Sequence, residues 1–361
     1  VYKSIVRDWV NDVDMRNYKT VMSPHNISEE LNDDTVDLLI KEVESAFPIY
    51  HRYLAWKAKK FGWRKINSRD LYAPFTTKSR KIPFKKTYSQ VIKTFDQFSK
   101  RFGDYAKDMF NGRVDVYPKQ GKRGGAFASY HPNMASFVML NYTGRLEDMH
   151  VVAHELGHAI HGHLSQKQPA QVFSSPLSLA ETSSVFSELL FAESIELPKG
   201  EQLAFKTQQI ETFFATIHRQ IQYILFEREV HSLMHEGHEL TYKDFNLLWR
   251  KQQEKLMGDI VKFELPADKD FGWSAIPHIH MVPFYCYAYA FGNILTFALY
   301  KRYKEQGESF VKQYIEILEA GGSKEPYKLL KEYGIDIKQP KFYRLGLSEL
   351  QRQVEELEKD Y

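Results

Sequence analysis

Met149-His150-Val151-Val152-Ala153-His154-Glu155-Leu156-Gly157-His158-Ala159-Ile160-His161 is the stretch that decides how this chain is read. Met149, Val152, Ala153, Leu156, Ala159 and Ile160 are apolar and leave little polar surface, which predicts a buried helix. His154 and His158 are four apart, so a helix puts both imidazoles on one face, where they can grip a single metal ion. Glu155 lies beside them, able to reach a water without occupying a coordination position. A buried helix does not carry His150, His154, Glu155, His158 and His161 unless something satisfies them, and a metal would do so. Two imidazoles, a carboxylate and an open position are the parts of a zinc hydrolase. The five-residue pattern also falls by chance on surface helices, a reading that the apolar context disfavours.

Such a site needs a third protein ligand. After the turn-prone Gln166-Lys167-Gln168-Pro169, a second helical pattern runs from Leu179 to Leu190 and carries Glu181 and Glu188. Seven residues apart, they share a face. Glu181 is expected as the third ligand and Glu188 as the acceptor that orients a ligand imidazole. The plainer alternative for both is a solvated helix carboxylate. Two imidazoles and one carboxylate suit zinc, one ion per chain, better than magnesium or calcium, which prefer oxygen. Glu155 is then the general base. His150, His161, His163, His218, His231, His235 and His238 are expected to be packed or surface histidines.

The 361 residues can bury a substantial core, and 43% hydrophobic content excludes disorder. A net charge of +3, with Lys and Arg interspersed among Asp and Glu, argues against a nucleic-acid surface. Cys286 is the single cysteine, so no intrachain disulfide can form. That fits a reducing compartment, and a cytoplasmic location is expected. No apolar run approaches the roughly 20 residues needed to span a bilayer, and no membrane partner is expected.

Most of the chain reads as helix. Val36, Leu39, Ile40, Val43, Phe47, Tyr50, Tyr53 and Leu54 keep helical spacing from Asp34 to Gly62, interrupted near Pro48 and stopped at Gly62. Residues 66 to 86 read as loop, with a basic run from Lys78 to Lys86, and another helix is expected from Tyr88 to Phe110. Between Val114 and Tyr142 the period shortens, predicting a small sheet of about three strands. Helices resume near Leu146 and continue to the end. Without a repeat or a low-complexity linker, residues 1–361 read as one catalytic unit.

Gly124-Gly125-Ala126-Phe127 is expected to form an edge strand, its small residues letting a substrate backbone approach and pair. A glycine pair in a turn is the alternative. A developing oxyanion needs donors, and His278, His280, Tyr285, Tyr287 and Tyr289 are the available cluster. An aromatic helix face packed in the core would explain them equally well.

His154 to His161, followed by Leu179-Ala180-Glu181-Thr182-Ser183, resembles the oligoendopeptidase F branch of the thimet oligopeptidase superfamily. Gly121 to Phe127, Val138 to Gly144, Asp70-Leu71-Tyr72-Ala73-Pro74, and Ile276-Pro277-His278 with Pro283 to Ala290 are similar to further segments of that branch. The resemblance runs over nearly the whole chain. It implies a mainly α gluzincin-type catalytic domain, with a small sheet beside a deep channel, one zinc, and cleavage of short unstructured oligopeptides. It also implies a further N-terminal lobe as partner, so the chain, which lacks an initiator Met, reads as the catalytic region of a longer protein. From the His/Tyr segment it points to His278 and Tyr285, then Tyr287, as catalytic donors, with Tyr289 and His280 on the substrate path beside Gly124, Gly125 and Ala126. His280 stands where the branch commonly has an aromatic residue. A related zinc carboxypeptidase, with Arg228 or Arg123 holding a terminal carboxylate, and an inactive peptide-binding protein are the competing functions.

Overall fold

The computed structural model describes residues 1–75, 81–265 and 269–361. Helix dominates, with two small sheets, as the periodicity predicts. No helix among the described residues is long and apolar enough to cross a membrane. The chain forms two compact units.

The first comprises residues 1–73, 209–294 and 337–361. The helix expected from Asp34 to Gly62 is present as Asp33–Ser45 and Phe47–Phe61. Pro48 sits in the first turn of the second piece, where its missing N–H costs nothing. Gly62 ends that helix with φ 70°, a left-handed conformation that a residue without Cβ adopts freely. Tyr2, Val6 and Val10 from the helix Tyr2–Met15 pack with Phe226, Val230, Phe245 and Trp249, and with Trp273, Ile276 and Ile279. That core carries the short helix Pro277–Met281, where the His/Tyr segment begins. Lys57 is fully buried and donates to Leu71 O at 2.6 Å and to Glu211, fixing the 70–73 segment to its helix. β1 (Ile66–Asn67) pairs in parallel with a strand at Val261–Lys262.

The second unit comprises residues 74–208 and 295–336. Its sheet is the predicted one: β2 (Val114–Asp115), β3 (Phe127–Ser129) and β4 (Phe137–Met139), in the order β2-β4-β3. β4 runs parallel to β2 and antiparallel to β3, with Ala128 opposite Val138. β3 therefore has one free edge.

Three expectations need correction. Gly124, Gly125 and Ala126 precede the strand rather than form it, because Gly125 turns the backbone at φ 78° and Asn141 Nδ2 holds the bend by donating to Arg123 O and Gly125 O, both at 2.8 Å. The helix expected from Tyr88 to Phe110 is two helices, Phe84–Phe98 and Lys100–Met109, broken at Ser99 (φ −158°, ψ 131°). Gly103 lets the second fold against the first, since a Cβ there would meet Asp96 Cα at 2.8 Å. The basic run from Lys78 to Lys86 begins outside the described residues, and Lys85 and Lys86 already belong to a helix.

Candidate metal centre

The predicted motif helix runs from Leu146 to Leu164. Asp148 starts it, its Oδ2 accepting from Arg145 N at 3.0 Å and Thr143 N at 2.7 Å. Acids in the first turn and His161 and His163 in the last match the helix dipole. The packing partner is Thr182–Ser194, which follows a short helix at Leu177–Ala180 with Glu181 at the junction. Gly157 is what lets the two backbones meet. A Cβ there would lie 2.6 Å from Ser183 O, 2.7 Å from Ser184 Cα and 2.8 Å from Ser187 Oγ. Glycine against serines gives a seam with almost no side chain in it, and it brings both glutamates within reach of His154.

The three expected ligands converge. His154 Nε2 and His158 Nε2 are 3.2 Å apart, and Glu181 Oε2 lies 3.5 Å from the first and 3.4 Å from the second. Among the described residues they are the one group of His, Cys, Asp and Glu atoms clustered tightly enough to hold an ion. Glu188 sits behind them, accepting from His154 Nδ1. That bond fixes the imidazole so that Nε2 is aimed at the cluster. Ser184 Oγ donates to Glu181 Oε2 at 2.7 Å and steadies the carboxylate.

The electrostatics favour a positive charge at this point. Burial opposes an imidazolium at His154, but the bond to Glu188 and the nearby Glu181 and Glu155 outweigh it and hold the ring at about 9. Burial likewise opposes ionisation of Glu181, yet His158, His154 and Ser184 pull it down to about 2. Carboxylates arranged around two imidazoles stabilise a cation, and the donor set of two nitrogens and one oxygen fits zinc.

Glu155 is nearly buried, and burial raises its proton affinity against the opposing pull of His154 and His158. The backbone N–H of Ala128 in β3 bonds its carboxylate. Sequence reading missed Ala128, because the strand was placed too early. It also missed Tyr130, whose ring packs on Gly162, where a Cβ would lie 2.3 Å from Tyr130 Cγ. Burial and the charges of Glu181 and Glu155 raise the Tyr130 phenol, so it belongs to the same neighbourhood. The other histidines of the helix are engaged elsewhere. His150 stacks on Phe205 with centroids 4.2 Å apart, His163 stacks on Tyr105 at 4.0 Å, and buried His161 bonds the backbone of Ala180.

In the first unit the structure brings His278, Tyr285 and Tyr289 together. The rings of His278 and Tyr285 are parallel, 1° apart in orientation with centroids at 5.7 Å. Tyr289 stands edge-on to both, its hydroxyl 3.4 Å from His278 Nε2. Tyr287 does not join them. Two residues from Tyr289 on one helix, it faces away, is fully buried, and its hydroxyl finds no hydrogen-bond partner among the described residues. The expected donor role for Tyr287 is corrected on that ground. His280 is also redirected: Nδ1 donates to Ile276 O at 2.8 Å, and the ring packs against Trp273 and Tyr2. A histidine there keeps the aromatic packing and is not presented to a substrate. His25, which no sequence signal singled out, is buried with its ring edge-on to Tyr287 at 5.4 Å and to Tyr285 at 6.5 Å.

Residues 3–348 match the family model described as peptidase family M3. The chain is 26% identical over 353 residues to oligopeptidase PepF of Bacillus subtilis, covering 95% of this chain and 52% of that one. It is 25% identical over 350 residues to the chromosomal oligoendopeptidase F of Lactococcus lactis, covering 96% and 58%. A solved Chlamydophila abortus chain superposes with a TM-score of 0.87 at 25% identity, over 99% of this chain and 62% of that chain. Oligoendopeptidase-F of Enterococcus faecium shares the fold, with a TM-score of 0.73 at 20% identity over 99% and 61%. The chain thus spans between half and two thirds of the length of these relatives.

Proposed function

This chain belongs to peptidase family M3, and from that membership and the residues gathered on the motif helix we propose a zinc-dependent endopeptidase that cleaves short unstructured oligopeptides. The observation that carries the proposal is the convergence of His154 Nε2, His158 Nε2 and Glu181 Oε2, with Glu155 beside them and outside the ligand set.

His154, His158 and Glu181 would hold the ion, and Glu188 would keep His154 in the tautomer that ligates. Zinc held there supplies a Lewis acid for the scissile carbonyl and lowers the pKa of a water. Glu155 accepts the proton of the attacking water on its carboxylate and returns it to the departing amine nitrogen. Its burial supports that task by raising its proton affinity, while Ala128 N–H fixes its direction. His278 and Tyr285, with Tyr289 beside them, are proposed as donors to the developing oxyanion. Their support is the family resemblance and a mutual arrangement already set in the folded unit. The free edge of β3, rather than Gly124 to Ala126, is proposed to pair with an extended peptide backbone.

The carboxypeptidase alternative needs a cation for the terminal carboxylate. Arg228 is paired with Asp37 at 3.1 Å and Arg123 lies over the ring of Phe127, which favours the endopeptidase.

The test uses Glu155→Gln, an end-blocked quenched peptide and metal analysis. Expected are about one zinc per chain in both proteins, cleavage of the blocked peptide by the parent, and a loss in the variant of several orders of magnitude, about 10³-fold or more. Zinc missing from the variant would make Glu155 a ligand. Cleavage restricted to peptides with a free C-terminus would favour the carboxypeptidase.

A further inference from the structure

Glu227 is a carboxyl with no task in the scheme above. It lies on the helix His218–His235, is completely buried, and has no cation against it: Tyr2, Cys286 and His231 are the titratable groups around it. Burial pushes its proton affinity up to about 8, against the pull of a single backbone N–H. That N–H belongs to Phe284, 3.0 Å from Glu227 Oε1. Phe284 is itself unusual, with φ 64°. A bulky side chain avoids that left-handed region, and residues held there cluster where function needs them.

Everything around Phe284 holds it in place. Its ring is fully buried, 4.7 Å from His231 and 5.9 Å from Trp9. Tyr285 is the next residue, and its N–H closes a turn back to Val282 O at 3.3 Å, while Val282 N bonds His278 O at 2.9 Å. One backbone turn therefore joins His278 to Tyr285. The Phe284 conformation decides the direction in which Tyr285 leaves that turn.

We propose that Glu227 is a positioning residue: its carboxyl locks Phe284 in the left-handed conformation and thereby sets the Tyr285 ring parallel to His278. The lock is a property of the folded unit, and its effect on turnover rests on the endopeptidase reading. A neutral carboxyl suits the task, because its carbonyl oxygen can accept from Phe284 N–H without leaving an uncompensated charge in the core. Glutamine offers the same acceptor at the same reach. Aspartate is one methylene too short, and leucine has no acceptor.

The experiment places 3-fluorotyrosine at position 285 of the full protein and compares Glu227→Gln, Glu227→Asp and Glu227→Leu by fluorine NMR, zinc content, kcat and KM. Glu227→Gln should keep the resonance and kcat close to the parent. Glu227→Asp and Glu227→Leu should move the resonance and lower kcat by about 10²-fold at unchanged KM and zinc content, the size of loss a small misplacement produces. If the leucine variant does not fold, the aspartate variant decides. An unmoved resonance and normal kcat in a folded Asp or Leu variant overturn the lock. A shifted resonance with normal kcat overturns its role in turnover. If the parent itself cleaves no peptide, yet the resonance moves in the Asp and Leu variants and not in Gln, the endopeptidase reading falls and the lock stands.

Discussion

Replacing Gly157 by alanine adds three hydrogens and one carbon to the tightest point of the metal centre. The new Cβ would stand 2.6 Å from Ser183 O and 2.7 Å from Ser184 Cα, both backbone atoms that cannot rotate away. Favourable carbon contacts lie near 3.5–4.0 Å, so the motif helix and Thr182–Ser194 must separate by about 0.5–1 Å. Overpacking of this kind costs about 1–3 kcal/mol, and the better helix propensity of alanine returns about 1 kcal/mol. A net loss of about 1–2 kcal/mol is expected. The greater effect falls on the ligands, because Glu181 and Glu188 move with the second helix while His154 and His158 stay on the first. Urea unfolding should show the lower midpoint, and zinc titration a weaker site. Gly124→Ala is the control: no atom lies within 4 Å of its Cβ and its φ is ordinary, so stability should not change. A Gly157→Ala protein with the parent's midpoint and zinc affinity would show that the seam can slide, and the account of how the ligands are placed would fail.

Glu181→Ala should release zinc at concentrations where the parent is loaded, since a three-ligand site loses much of its affinity with one ligand gone; retention in metal analysis moves the third ligand elsewhere. Tyr285→Phe should lower kcat by about 10²-fold at unchanged KM. Tyr287→Phe, which removes a buried hydroxyl without a partner among the described residues, should leave kcat alone and stability equal or higher, and the reverse pattern in the two variants would restore Tyr287 as the donor. Glu227 has an ordinary value of 4.5 and a folded value of about 8. Between these the unfolded chain has lost a proton that the folded chain keeps, so stability falls as pH rises, by about 1.4 kcal/mol per unit, and levels off above the folded value. Glu227→Gln cannot titrate, so across that window it should gain steadily on the parent in urea melts; a pH-independent difference refutes the burial argument.

Periodicity and spacing made the motif helix and both glutamates legible, because a helix fixes which residues share a face regardless of the surroundings. The same local logic found the stop at Gly62 and the sheet between Val114 and Tyr142. It failed where a distant contact decides. The break at Ser99 follows from Gly103 closing on Asp96, and nothing in the local pattern of Tyr88 to Phe110 announces that contact. The strand starts after Gly125 because Asn141, sixteen positions on, holds the bend. His280 and Tyr287 belong to a run in which every second or third residue is aromatic or His, and composition cannot tell the exposed members from the packed ones. Ala128 and His25 act through a backbone N–H and a buried ring edge, for which sequence carries no sign.

Glu188 and His154 are 34 positions apart, and every residue assigned to the ion lies between them. The loop to be closed is short, so its entropic cost is small and the cradle can form early in folding, ahead of contacts that join remote parts of the chain. All of it lies inside one compact unit. On the proposed assignment, metal loading and catalytic competence are separable properties. A chain whose first unit is damaged, with His278 and Tyr285 displaced, would still carry a full complement of zinc. Metal content certifies one half of this protein, and only turnover certifies the whole.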